Sequence, residues 1–168
     1  MCHRIVPLLL LAITITACAG PPPEVLETLP RTSTAPRKAS KWNLSSKVAL
    51  GGYDPVSYRA EDGGKPVKGD RTRAVGYGSV IYLFANDENL AAFRKDPARY
   101  EPSHGGWCSY AMRAGDCVGV DPETFLIRDD RLFLFYNSGD TDTLALWQQG
   151  DHASQLETAD RAWDRKQR

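Results

Sequence analysis

The chain has 168 residues, and 21 basic side chains balance 21 acidic ones. Lys and Arg are scattered, so no basic stripe marks a nucleic-acid partner. Hydrophobic residues make up 42% of the chain, enough for a core that needs no disulfide or metal staple. No internal repeat, glycine-rich phosphate loop or hydrolase-like Ser/His/Asp order is present.

Met1 to Cys18 reads as a signal peptide. Arg4 supplies the positive start, and Ile5 to Ala17 is almost wholly apolar yet too short for a mature span. The ending Ile15-Thr16-Ala17-Cys18 resembles the bacterial lipobox. That resemblance implies a lipoprotein with Cys18 as its lipidated N-terminus, held on a membrane by palmitate-type acyl chains. Ala19 rather than Asp follows, which by the same resemblance implies the outer membrane of the cell envelope, facing the periplasm. The expected organisation is residues 1–17 as signal, 18–41 as lipidated Cys and Pro-rich tether, and 42–168 as one domain. Pro21-Pro22-Pro23, Pro30 and Pro36 make the tether an extended spacer. Its reach is on the order of 30 Å.

The domain opens with Lys47 to Leu50 and a turn at Gly51-Gly52-Tyr53-Asp54-Pro55. Glu61 to Lys65 is a polar loop. Thr72 to Tyr77 and Val80 to Ala85 predict a hairpin around Gly78-Ser79, with the apolar run Val80 to Phe84 as a central strand. Asn86 is the expected cap of a helix that buries Leu90 and Phe93 and ends at Asp96-Pro97. A short helix over Cys108 to Arg113 stops at Gly115. Phe125 to Ile127 and Leu132 to Tyr136 predict a second hairpin turning at Asp129-Asp130. Thr141 or Asp142 caps a helix through Leu144, Leu146 and Trp147. A last helix from about His152 carries Leu156, Ala159 and Trp163 on one side, and Arg165 to Arg168 is its solvated end. The class is α+β, two β-hairpins interleaved with short helices.

The chemistry concentrates in Tyr100 to Met112. His104, Cys108 and Met112 recur every four residues, and a helix from about Gly105 would set them on one face. Imidazole, thiolate and thioether form a soft ligand set, suited to copper or another soft transition metal. The same turn can instead pack aromatic rings and a small thiol into a core. Cys2 leaves with the signal and Cys18 carries lipid, so Cys108 and Cys117 are the remaining thiols. An oxidising compartment permits a disulfide between them, and two separate thiols remain equally open. The closed loop would contribute about 2–3 kcal/mol in the chain-entropy account. His152 reads as a surface residue, and Asp54 and Asp121, each before Pro, as turn braces.

Several of these pieces resemble the YHS-domain family in its small secreted bacterial form. They are Gly52-Tyr53-Asp54-Pro55-Val56-Ser57-Tyr58, Gly64-Lys65-Pro66-Val67-Lys68-Gly69 and Tyr82-Leu83-Phe84-Ala85-Asn86. Asp96-Pro97-Ala98-Arg99-Tyr100, Gly105-Gly106-Trp107-Cys108-Ser109-Tyr110, Asp121-Pro122 and Trp163 continue the pattern, over about residues 47–163. Metal-associated relatives carry cysteines where this chain resembles them with Ser57, Ala85 and Asn89, so that ligand set does not transfer. Three readings result. The first is a non-catalytic binding module of the envelope with a protein partner. The second is copper bound by Cys108, His104 and Met112, with Cys117 able to complete the set. The third is a thiol-redox protein using Cys108 and Cys117, with His104 activating the thiol.

Overall fold

Two long antiparallel hairpins, each closed by a two-residue turn, form the frame, and a third, minimal one follows the second. The computed structural model describes residues 27–31, 38–59 and 64–168. The stretch read as a signal peptide, Cys18 and much of the expected tether lie outside these residues. The strands are β1 (Glu27–Leu29), β2 (Asp70–Tyr77), β3 (Val80–Phe84), β4 (Asp121–Arg128), β5 (Arg131–Phe135), β6 (Asn137–Ser138) and β7 (Thr141–Asp142). The helices are α1 (Asp87–Lys95), α2 (Ser109–Met112), α3 (Thr143–Gln148) and α4 (His152–Gln167). The class is α+β, as expected.

Both hairpin turns fall where the sequence puts them. Tyr77 pairs with Val80 across Gly78-Ser79, and Arg128 with Arg131 across Asp129-Asp130. All four turn residues have positive φ, between 51° and 67°. Two successive left-handed residues make a turn whose twist matches that of the strands, and Asp and Gly tolerate that region better than most residues.

The central strand is β2, not β3. The sheet runs β1-β2-β3, with β1 parallel to β2 from Glu27 opposite Val75 to Leu29 opposite Tyr77. β1 falls within the stretch expected to be a free tether. The open edge of β2 offers unpaired backbone groups, and residues 27–29 take them up. β3 still reads as a continuous apolar run because its outer edge is covered too. Ile81 N donates to Lys47 O at 2.8 Å, and Ala49 N donates to Ile81 O at 3.0 Å.

β5 divides the core. Leu132 and Leu134 face one cluster with Tyr82, Phe84 and Phe93, while Phe133 and Phe135 face another with Trp147. Strand alternation does this, and all four β5 side chains are fully buried. The Asn86 side chain accepts from Asn89 N as expected, and of Thr141 and Asp142 it is Asp142 that caps α3, accepting from Leu144 N and Ala145 N; Asp151, which the sequence did not mark, accepts from Ser154 N. On α3, Trp147 is buried and Leu146 is exposed.

Two features position the candidate site. The stretch from Pro102 to Cys108 runs beside β5, bridging Leu132 at one end and Leu134 at the other. α4 closes over it, with Ala159 and Ala162 against Met112.

Candidate functional site

The turn after Pro102 is not the start of a helix. Ser103–Gly106 forms a 3-10 turn in which His104, Gly105 and Gly106 all have positive φ, and α2 begins only at Ser109. Three left-handed residues redirect the chain, so the four-residue spacing does not stack His104, Cys108 and Met112 on one face. Gly105 is required on two counts. Its φ is +62°, and a Cβ there would lie 2.5 Å from the Trp163 ring.

The redirected turn buries His104, which is 2% exposed. Nδ1 lies 2.9 Å from Ser109 Oγ, and Nε2 lies 2.9 Å from Asp160 Oδ1 on α4. Asp160 also accepts two 2.8 Å bonds from Arg131, whose Nε donates to Ser103 Oγ at 3.1 Å. Burial pushes the imidazole pKa down, and the bond to Asp160 opposes that only in part. His104 is therefore neutral at pH 7. Nε2–H donates to Asp160, and Nδ1 accepts the Ser109 hydroxyl. For Asp160, burial pulls the pKa upward, but the bonds from Arg131 and His104 win and hold it well below the carboxylate range.

Ser109, His104 and Asp160 thus have the residue types and contacts of a hydrolytic triad, which the order of residues in the sequence did not reveal. Exposure decides against that chemistry. Ser109 is fully buried and is not among the residues that line the cleft beside His104. A nucleophile must reach a carbonyl carbon, and this hydroxyl has no approach. The network ties the turn to α4.

One edge of the network faces a cleft of about 330 Å³, lined by Arg31, Trp42, Tyr77, Arg99, Glu101, His104, Arg131, Trp163 and Gln167 among others. Trp42 and Trp163 meet edge to face, with ring centroids 6.3 Å apart. Trp42 is held there because Asn43 N donates to Gly105 O and Trp107 Nε1 to Lys41 O. Gln167 is 6% exposed; its Oε1 accepts from Lys38 N, and its Nε2 has no partner. Arg31 Nε is buried without a partner as well. Sequence reading placed Gln167 on a solvated helix end and passed over Arg31.

The expected ligand set is dispersed among different partners. Cys108 is fully buried, with Sγ 3.3 Å from Thr143 Oγ1 on α3. Met112 is fully buried among Ala159, Ala162, Trp107 and Trp163. With both His104 nitrogens engaged, these three side chains as held do not fit a soft metal ion. Among the described residues, no group of three or more His, Cys, Asp or Glu is placed to hold one. Cys108 and Cys117 are free thiols, the first buried and the second exposed, so the structure does not join them.

Ser57, Ala85 and Asn89 surround a carboxylate instead. Asp54 is fully buried; Oδ1 accepts from Val56 N, and Oδ2 from Ala85 N and Asn89 Nδ2 at 2.7–2.8 Å. Ser57 Oγ donates to Asp54 O and accepts from Val67 N. Asp54 is the turn brace expected, extended across two further elements. Asp121 braces its own turn through Glu123 N and Thr124 Oγ1. His152 is not a surface residue. It is 8% exposed, packs on Phe133 and Trp147, and accepts from Trp147 Nε1 at 3.0 Å.

Comparison of the chain with family models, with curated proteins and with solved structures found no match.

Proposed function

We propose that this chain is a non-catalytic binding module, YHS-like in fold and lipid-anchored through Cys18 to the cell envelope on its periplasmic side. Its ligand is a small organic anion, bound in the cleft beside His104. One observation carries this reading. Two residues that line the same cleft, Gln167 and Arg31, each carry a buried hydrogen-bond donor, Nε2 and Nε, with no acceptor. Buried polar groups are ordinarily satisfied, so the pair marks where a carboxylate oxygen would sit. Arg99 and Arg131 line it beside the carboxylates of Glu101 and Asp130, and Trp42, Trp163 and Tyr77 offer apolar walls for a ring or short chain. The anchor rests on the leader and lipobox alone.

Titration of the full chain in non-ionic detergent with benzoate and acetate, followed by calorimetry, tests the reading. Benzoate is expected to bind more tightly than acetate, and Gln167→Leu is expected to weaken it. Absence of heat with either carboxylate, or binding indifferent to Gln167→Leu, would overturn it.

A further inference from the structure

A second cleft, of about 500 Å³, adjoins the first and shares Arg99 with it. It is lined by Val56, Ser57, Arg59, Lys65, Val67, Asn89, Arg99 and Tyr100. Among these described residues there are three cations and no carboxylate. We propose that this cleft binds a phosphate group, carried either by a soluble phosphorylated molecule or by a phospholipid headgroup.

The charge balance points there first. Arg59 and Arg99 share one carboxylate oxygen, Oδ1 of Asp130. Two guanidinium groups on one carboxylate leave a positive charge in excess. Lys65, exposed and part of the same lining, adds a second. A phosphate group, singly charged as a diester and up to doubly charged as a monoester, matches the sign of that excess.

Arg59 supplies the independent observation. Its side chain is only 8% exposed, so this is a fixed group rather than a waving surface arginine. The Nη2 hydrogens go to Arg99 O and Asp130 O at 2.7 Å each, and Nη1 bonds Asp130 Oδ1. Nε is buried with no partner. An orphaned donor on a buried cation costs stability unless something accepts from it, and a phosphate oxygen seated in the cleft supplies that acceptor.

The rest of the lining sorts phosphate carriers by shape. Asn89 uses Nδ2 toward Asp54. The Ser57 hydroxyl is fully engaged on Asp54 O and Val67 N, so it turns no lone pair toward the cleft, and the Asp54 carboxylate is buried behind the wall. Tyr100, whose ring lies 5.8 Å from the Arg59 guanidinium, and Val56 and Val67 give an apolar flank for the organic part. Inorganic phosphate should therefore bind more weakly than a phosphate bearing a short organic body.

The test is calorimetric titration of the full chain in non-ionic detergent, with inorganic phosphate, with phenyl phosphate and with dihexanoyl phosphatidylglycerol as three separate probes. Saturable binding is expected for at least one, weakened roughly ten- to hundredfold by Lys65→Glu, the equivalent of losing a charged contact. Arg59→Gln should abolish it. Because that change also cuts two backbone ties, its thermal unfolding is recorded, and the exposed Lys65→Glu decides the case if it unfolds. Gln167→Leu, in the other cleft, should leave phosphate binding unchanged. Phenyl phosphate binding more tightly than the lipid assigns a soluble ligand; the reverse assigns a headgroup. No saturable heat with any probe, or binding that survives Lys65→Glu, overturns the proposal.

Discussion

His104 Nε2 and Asp160 Oδ1 stand 2.9 Å apart although 56 residues separate them in the chain. This contact joins the glycine turn to the last helix, and Arg131 from β5 closes the same carboxylate from its other side. Asp160→Ala would leave a buried imidazole N–H and a guanidinium without their acceptor. Both Asp160 and Arg131 are about a third exposed, so solvent softens the loss on their side. The expected cost is about 2–3 kcal/mol in urea unfolding. A loss below about 0.5 kcal/mol would show the contact to be idle.

Ser109→Ala separates the structural role of the network from a catalytic one. Removing the hydroxyl strips Nδ1 of its donor in a dry site, at about 1–3 kcal/mol. Ester hydrolysis by the parent chain should match buffer alone. Turnover of p-nitrophenyl acetate that disappears in Ser109→Ala would reverse this view.

Acid should destabilise the fold through its histidines. The folded pKa of His104 is lowered by burial, and that of His152 likewise. Between the folded and unfolded values the unfolded chain binds more protons, so stability rises with pH across that window. The contribution is complete above the unfolded value of about 6.5 and is lost as pH falls below it. Urea midpoints at pH 7.5 and 5.5 check the sign, with the lower midpoint expected at 5.5. His104→Gln should reduce the difference.

The thiols should differ in reactivity. Cys117 is exposed and Cys108 fully buried. A disulfide-exchange reagent should label Cys117 at once in native protein purified with reductant, and Cys108 only after unfolding. Added copper should not protect Cys108 further. Protection that vanishes in Met112→Ala would restore the soft-metal reading.

Gly105 and Gly115 form a matched pair. Both have positive φ, at +62° and +84°, but a Cβ on Gly105 meets the Trp163 ring whereas one on Gly115 meets nothing within 4 Å. Gly115→Ala should cost about 1 kcal/mol, from backbone strain alone. Gly105→Ala adds overpacking of about 1–3 kcal/mol. Equal thermal shifts for the two would mean that the ring gives way.

Much of the frame was legible in the sequence. Gly78-Ser79 and Asp129-Asp130 marked both turns, and Asn86 and Asp142 marked helix starts, because each acts on backbone within three residues. The Asp54 brace was legible for the same reason, though its reach to Ala85 and Asn89 was not. The reading failed at His104, where a four-residue spacing suggested a helix face. Two following glycines allow left-handed backbone, and the choice between helix and turn was made by Trp42 and Trp163 packing against Gly105.

What the sequence alone determined is therefore local: turn positions, helix caps, and an apolar run ending at Cys18. What only the tertiary structure decided is which side chains share a site. It paired His104 with Asp160, turned Cys108 toward Thr143, folded residues 27–29 onto β2, and left Gln167 and Arg31 lining one cleft. The physical reason is range. Backbone preferences act over three or four neighbours, whereas a buried polar contact across 56 residues exists only once the whole core has fixed both ends.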